Sequence, residues 1–232
     1  MTRSVFRRLS LILVVFCLGC TGHDPEAKAG LVFVHDGHTY EIVKTKKTWD
    51  QASTAAAGQQ KYGVAGYLVR INSAEENQAI FDQLIANIPS SEFANTAAPD
   101  GGGGSYAWIG ATDAGTEGEW IWSKGGDQFW SGGKDGSPVG SLYSNWGTVN
   151  GIQNEPDNYN NYQNVAAISL NGWPKSDQHL GSASQWNDIN ADNQLYYVIE
   201  YDAVPEPSSA ALFGVLFLMI APVFLGKKKG TC

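Results

Sequence analysis

The chain has 232 residues, of which 43% are hydrophobic and only 16% charged, with 27 Gly, 8 Trp and 10 Tyr; glycine and aromatic enrichment with few long charged side chains points to a loop-rich fold with strands. The formal net charge is −8, and residues 30–202 hold 8 Lys/Arg against 20 Asp/Glu, a surface that repels phosphate backbones, excludes nucleic acid as a natural partner and suits cations. Of the three cysteines, Cys17, Cys20 and Cys232, none falls between 21 and 231, which excludes disulfides from the folded part and leaves its stability to packing and any bound metal.

Arg3, Arg7 and Arg8 precede an apolar run over 9–19, the pattern of a secretory signal and too short for a comfortable membrane span. Residues 1–20 therefore read as a signal peptide and 21–29 as a linker. Leu18-Gly19-Cys20 resembles a lipoprotein cleavage box with Cys20 as the lipidated residue, although Cys17 stands where the box usually has Leu; an ordinary signal peptide is the alternative.

Residues 31–34 and 38–43 read as a hairpin around Asp36-Gly37. Thr48 caps an Ala-rich helix reaching Gln60, with Gln51 completing a capping box. A strand over 66–71 leads to Asn72 or Ser73, either of which can cap a second helix over 74–88. That helix has Ile80, Leu84, Ile85 and Ile88 at helical spacing, and Pro89 ends it. Residues 90–105, with Gly101 to Gly104, read as a flexible loop. Short aromatic strands over 107–111 and 119–122 follow.

From 123 to 164 the chain is dense in Gly, Asn, Asp, Ser and Pro, and a long segment without regular pattern is usually functional or disordered. Its Trp130, Tyr143, Trp146, Tyr159 and Tyr162 argue against disorder. Strands over 165–170 and 195–201 close the unit. The order predicts one α+β domain over 30–202, two helices flanking antiparallel sheets with a long irregular loop region and no disulfides. His35, His38 and His179 accompany no nucleophile motif and no zinc-spaced cluster, so no enzyme is expected.

At the far end, Val204-Pro205-Glu206-Pro207 precedes an uncharged apolar stretch over 210–225 and then Lys227, Lys228 and Lys229. Residues 203–232 resemble a PEP-CTERM sorting tail of Gram-negative bacteria. That resemblance implies recognition by an exosortase-type enzyme and membrane attachment through the apolar helix before processing. A plain tail anchor is the alternative, and its lysines would stay cytoplasmic. Either reading exports the domain to the cell envelope or beyond.

The middle of the chain carries an ordered set of motifs: Trp49 with Ala52, the run from Gly66 to Ser73 with Glu75-Glu76-Asn77, Trp108-Ile109-Gly110-Ala111, Glu117 to Trp122, Tyr143-Ser144-Asn145-Trp146, Glu155-Pro156-Asp157, Trp186-Asn187-Asp188 and Tyr197 to Tyr201. Together they resemble a C-type-lectin-like domain over 30–202. The resemblance implies a calcium site carried by Glu155, Asp157, Gln163, Asn187 and Asp188, with a cis Glu155-Pro156 bond. It also implies a carbohydrate site of Glu155, Asp157, Tyr159, Asn187 and Asp188, with exopolysaccharide as a ligand. All five metal candidates offer oxygen, which calcium requires.

Gln163 stands where sugar-binding members usually have Glu, and Val165, Ala191 and Ile199 stand where cysteines are usual. Glu155 matches the mannose-type pattern, whereas Asp157 and Tyr159 match the galactose type, so the sugar stays open. A module that binds protein or matrix without sugar is the alternative function.

Overall fold

The computed structural model describes residues 31–203. The expectations for the signal, for Cys20, for the linker and for the sorting tail with its apolar stretch 210–225 lie outside the described residues. Among the described residues, no helix is long and apolar enough to cross a membrane.

Strands β1 (Leu31–His35) and β2 (His38–Lys47) pair antiparallel with His35 opposite His38. The two turn residues, Asp36 (φ 47°) and Gly37 (φ 81°), both have the positive φ that a tight twisted hairpin requires. Helix α1 (Trp49–Ala57) starts at the predicted capping box: Gln51 N donates to Thr48 Oγ1, and Thr48 N donates to Gln51 Oε1, each at 3.3 Å. It stops three residues short of Gln60. There β3 (Gln60–Lys61) pairs with β4 (Val64–Leu68), and sheet pairing overrides the helical preference of the alanines.

Helix α2 (Ala74–Asn87) is capped by Ser73, whose hydroxyl accepts from Glu76 N at 3.1 Å. Ile80, Leu84 and Ile88 face the core, whereas Ile85 is exposed.

The segment expected as a flexible loop is built in. Residues Ser90–Thr96 form a 3-10 helix, Thr96 Oγ1 donates to Tyr106 O and accepts from Tyr196 N, and Tyr106 OH donates to Gly101 O at 2.7 Å. Backbone groups of a glycine run have no side chains to shield them, and here neighbouring polar groups satisfy them.

The remaining strands are β5 (Tyr106–Thr112), β6 (Glu119–Trp122), β7 (Gln128–Ser131), β8 (Ser137–Pro138), β9 (Thr148–Val149), β10 (Ile152–Gln153), β11 (Val165–Ser169), β12 (Trp186–Ile189) and β13 (Leu195–Tyr201). β13 is the hub: it pairs antiparallel with β2 and β4, and parallel with β5. β5 in turn pairs antiparallel with β6 and β11, and β11 pairs with β12. The α+β expectation of two helices flanking antiparallel sheets therefore holds, with one parallel step at β13–β5. The loop region is more regular than expected, because β7 to β10 lie inside it.

Two cores result. One, under α1, gathers Trp49, Leu68, Trp108, Tyr106 and Trp173. The other, under α2, is an aromatic stack in which Trp120 meets Trp146 at 4.7 Å and Trp122 meets Trp186 at 5.6 Å, both edge-on. Such pairs add about 0.5–1.5 kcal/mol each beyond area burial. Trp186 Nε1 also donates to Asn77 Oδ1 of α2 at 2.8 Å. That bond ties β12 to the helix and fixes where Asn187 and Asp188 stand.

Candidate functional site

The two stretches that matter are 31 residues apart in sequence and meet at one end of the domain. β12 lies against β11 with Ala166 opposite Asp188 and Ala167 opposite Asn187. The loop that follows the cis Glu155-Pro156 bond packs over this pair. Asp188 is fully buried and its two oxygens accept from the backbone of that loop, from Asp157 N at 3.1 Å and Asn158 N at 2.7 Å.

Beyond Asp157 the loop turns through Asn158, Asn160 and Asn161, all in the left-handed region with φ of 45°, 60° and 58°. Asparagine tolerates that region better than other residues with a Cβ, and the Asn-rich sequence is thereby explained.

Carboxylate oxygens of Glu155, Asp157 and Asp188 lie within 4.8 Å of one another. Two oxygens bound across one calcium ion at 2.3–2.6 Å stand at most about 5 Å apart, so the spacing suits such an ion. Glu155 is 2% exposed. Its Oε1 accepts from Trp173 Nε1 at 2.8 Å, while its Oε2 is buried without a hydrogen-bond partner. A buried carboxylate oxygen with no donor is costly unless a positive charge meets it.

The electrostatics agree. Burial, then repulsion from Asp188 and Asp157, holds the Glu155 carboxyl well above the usual carboxylate range. Asp188 is raised by burial and by Asp157, against the pull of its backbone donors. Among the described residues no ion pair reaches any of the three. A divalent cation placed among them would offset this repulsion and favour the charged carboxylates.

The other expected site residues are placed as follows. Asn187 Nδ2 donates to Tyr106 OH at 3.0 Å, which leaves Oδ1 for the cavity that Asn187 lines. Gln163 is buried on the cavity wall; its Nε2 donates to the carboxylate and backbone oxygen of Asp100, each at 3.2 Å, and its Oε1 accepts from Tyr159 N at 2.7 Å. A glutamate at 163 would set its charge against Asp100, so the amide at this position follows from its neighbour. Tyr159 is 56% exposed at the cavity rim.

Two residues were not anticipated from sequence. Trp173 is fully buried and forms one wall; Gly147 and Gly181 leave it room, since a Cβ at either would fall 2.5 Å and 2.1 Å from its ring. Asp100 lies in the segment read as a flexible loop, and besides Gln163 it accepts from Asn190 N and Asn193 Nδ2. A tryptophan amid glycines and polar residues was the one available signal for the first; nothing local marks the second. The cavity they share with Glu155, Asp157, Tyr159 and Asn187 measures about 240 Å³.

Residues 45–200 match the model of the Lectin C-type domain family. The chain is 28% identical over 198 residues to an alpha-N-acetylgalactosamine-specific lectin of Patiria pectinifera, covering 83% of this chain and 94% of that protein. It is 31% identical over 187 residues to halomucin of Haloquadratum walsbyi, across 79% of this chain but only 2% of halomucin's length. Among solved structures, the C-type lectin CEL-I of Cucumaria echinata is similar in fold, with a TM-score of 0.50, 24% identity, and coverage of 75% of this chain and 96% of that one.

Proposed function

The chain belongs to the C-type lectin domain family, and from that premise we propose that it is an exported, calcium-dependent carbohydrate-binding protein of the bacterial envelope or extracellular matrix. The observation that carries the reading is the orphaned Glu155 Oε2, buried among the carboxylates of Asp157 and Asp188. Those three groups, with the carbonyl oxygens of Asn187 and Gln163, are the residues that would hold the ion. When bound, calcium supplies a positive charge with coordination positions left open for neighbouring sugar hydroxyls.

The protein's own groups do the rest. Trp173 fixes Glu155 through Oε1, so the carboxylate keeps one orientation. Asn187 and Glu155 border the cavity as partners for the same hydroxyls, and charge-assisted hydrogen bonds of that kind are the stronger sort. Tyr159 offers a ring face to the apolar side of a pyranose. The protein-interaction alternative does not account for a buried carboxylate oxygen, Glu155 Oε2, left without a donor beside two further acids.

The test is a glycan array probed with the full chain in detergent, with calcium and with chelator. Binding that chelation removes is expected. Binding indifferent to chelation would refute calcium dependence, and a blank array on folded protein would favour the protein-binding module.

The two ends of the chain support export, with processing by an exosortase-type enzyme and membrane attachment through residues 210–225 beforehand. Intact-mass measurement of the protein from the envelope fraction checks this: a product lacking the sequence after the Pro-Glu-Pro is expected, and an unprocessed tail would count against it.

A further inference from the structure

Beside the acid-lined cavity runs a second, more open groove of about 540 Å³, lined by Pro99, Asp100, Tyr159, Tyr162, Asn190, Asp192 and Asn193. Pro99, Asp100 and Tyr159 belong to both spaces, so the two are contiguous. We propose that this groove is a second sugar subsite, and that the ligand is a neutral or N-acetylated chain of at least two units rather than a single sugar or an acidic polysaccharide. The proposal rests on the carbohydrate reading above and extends it.

Three observations converge. First, the acid-lined cavity is small. At about 240 Å³ it falls below the ~300–1,000 Å³ that encloses a drug-sized ligand, so it suits one ring and leaves the next unit outside. Second, the groove is lined by two tyrosines, Tyr159 on the wall shared with the cavity and Tyr162 in the groove alone. Tyr159 and Tyr162 are 56% and 39% exposed, and neither is drawn into the core. An exposed ring face beside amide groups fits a pyranose, apolar on one face and hydroxyl-bearing at its rim.

Third, the groove is rigid and carries acid. Asp100 is held by Asn190 N at 2.7 Å and Asn193 Nδ2, and Asn193 Nδ2 also donates to Asn190 O at 2.9 Å. With Asp157 across the shared wall and Asp192 exposed at the rim, uronate or sulfate groups would meet like charge. The carboxylates and amides accept and donate to neutral hydroxyls and acetamides.

The test is calorimetry on the full chain in detergent with saturating calcium. The probes are mannose, galactose and N-acetylglucosamine oligomers of one to four units, with galacturonate oligomers of matched length. Affinity is expected to rise roughly three- to tenfold from one unit to two, the worth of one ring contact. It should then level off, with the uronate series weaker throughout. Tyr162→Ala is expected to abolish the gain with length and to leave single-unit affinity intact, since Tyr162 lines only the groove. Equal affinity at all lengths, or a Tyr162→Ala loss shared by every length, would overturn the subsite while sparing the carbohydrate reading. Failure of every probe at every length would overturn that underlying reading, and the subsite with it.

Discussion

Two acidic clusters among the described residues each contain a buried glutamate, and they behave oppositely. At one end, Glu200 is 1% exposed, yet its Oε1 meets His38 Nδ1 at 2.7 Å and its Oε2 accepts from Arg70 N at 3.0 Å. Nearby Glu76 accepts from Tyr40 OH and Asn72 N, both at 2.7 Å, and Asp202 accepts from Tyr67 OH and pairs with Lys124. His38, Glu200 and Asp202 are close enough together to resemble a metal site. At the other end, Glu155, Asp157 and Asp188 have comparable spacing, but a buried oxygen lacks any donor. The contrast teaches that gathered carboxylates do not by themselves suggest a cation site; the second cluster differs in joining close acids to a buried oxygen without a donor, whereas Asp113 Oδ1 lacks a donor but has no such neighbours. The first cluster is a structural joint between α2, β2 and β13, and the second is the one proposed above to hold the cation.

The largest expected effect breaks the second cluster. Asp188→Asn keeps an acceptor for the loop but removes a charge, and should weaken calcium by at least about 100-fold, read by calorimetry. Equal affinity in the variant would erase the distinction between the clusters. Next, Glu200→Ala strips the saturated cluster and leaves Arg70 N without its partner. It should lower unfolding free energy by about 2–3 kcal/mol in urea while calcium affinity stays unchanged. Any loss of calcium affinity would show that the clusters are coupled.

Trp173→Phe keeps an aromatic ring but deletes the donor to Glu155 Oε1 and the pyrrole half of the indole. Calcium should weaken by about tenfold, the worth of one hydrogen bond to a charged group, and the smaller ring in a fully buried position should also cost about 1–2 kcal/mol of stability.

The smallest effect concerns pH. Asp113 is raised to about 6 by burial, against a hydrogen bond from Gly118 N. Because its folded value exceeds the unfolded 3.8, the folded state binds the extra proton between those values. Its contribution to stability is full below about pH 4 and lost as pH rises through about 6. Glu155 and Asp188 shift in the same direction and carry the same sign. Thermal melts should therefore show chelated protein losing stability as pH rises. Excess calcium should flatten the part due to Glu155 and Asp188, and Asp113→Asn should remove the remainder, roughly 1–2 kcal/mol. A slope that calcium leaves untouched would count against the cation site.

Much of this was legible in one dimension because the relevant forces are local. The Asp36-Gly37 turn, the Thr48–Gln51 box and the Ser73 cap each depend on residues within four positions. Hydrophobic spacing placed α2, though not the exposure of Ile85, which nothing packs over. The short β7 to β10 went unseen, since two- to four-residue strands among glycines carry no period to read. Asp100 and Trp173 escaped because their meaning lies in partners 63 and 18 residues away, Gln163 and Glu155.

The amino-acid sequence alone determined that the chain would form an α+β domain without disulfides, because periodicity, caps and cysteine positions are read along the chain; that Glu155, Asp157 and Asp188 belong together was implied by the family resemblance of the ordered motifs. Only the tertiary structure decided which acids were answered by donors. Hydrogen bonds such as Arg70 to Glu200 form across 130 residues, and a carboxylate's environment is set by whatever folding brings against it.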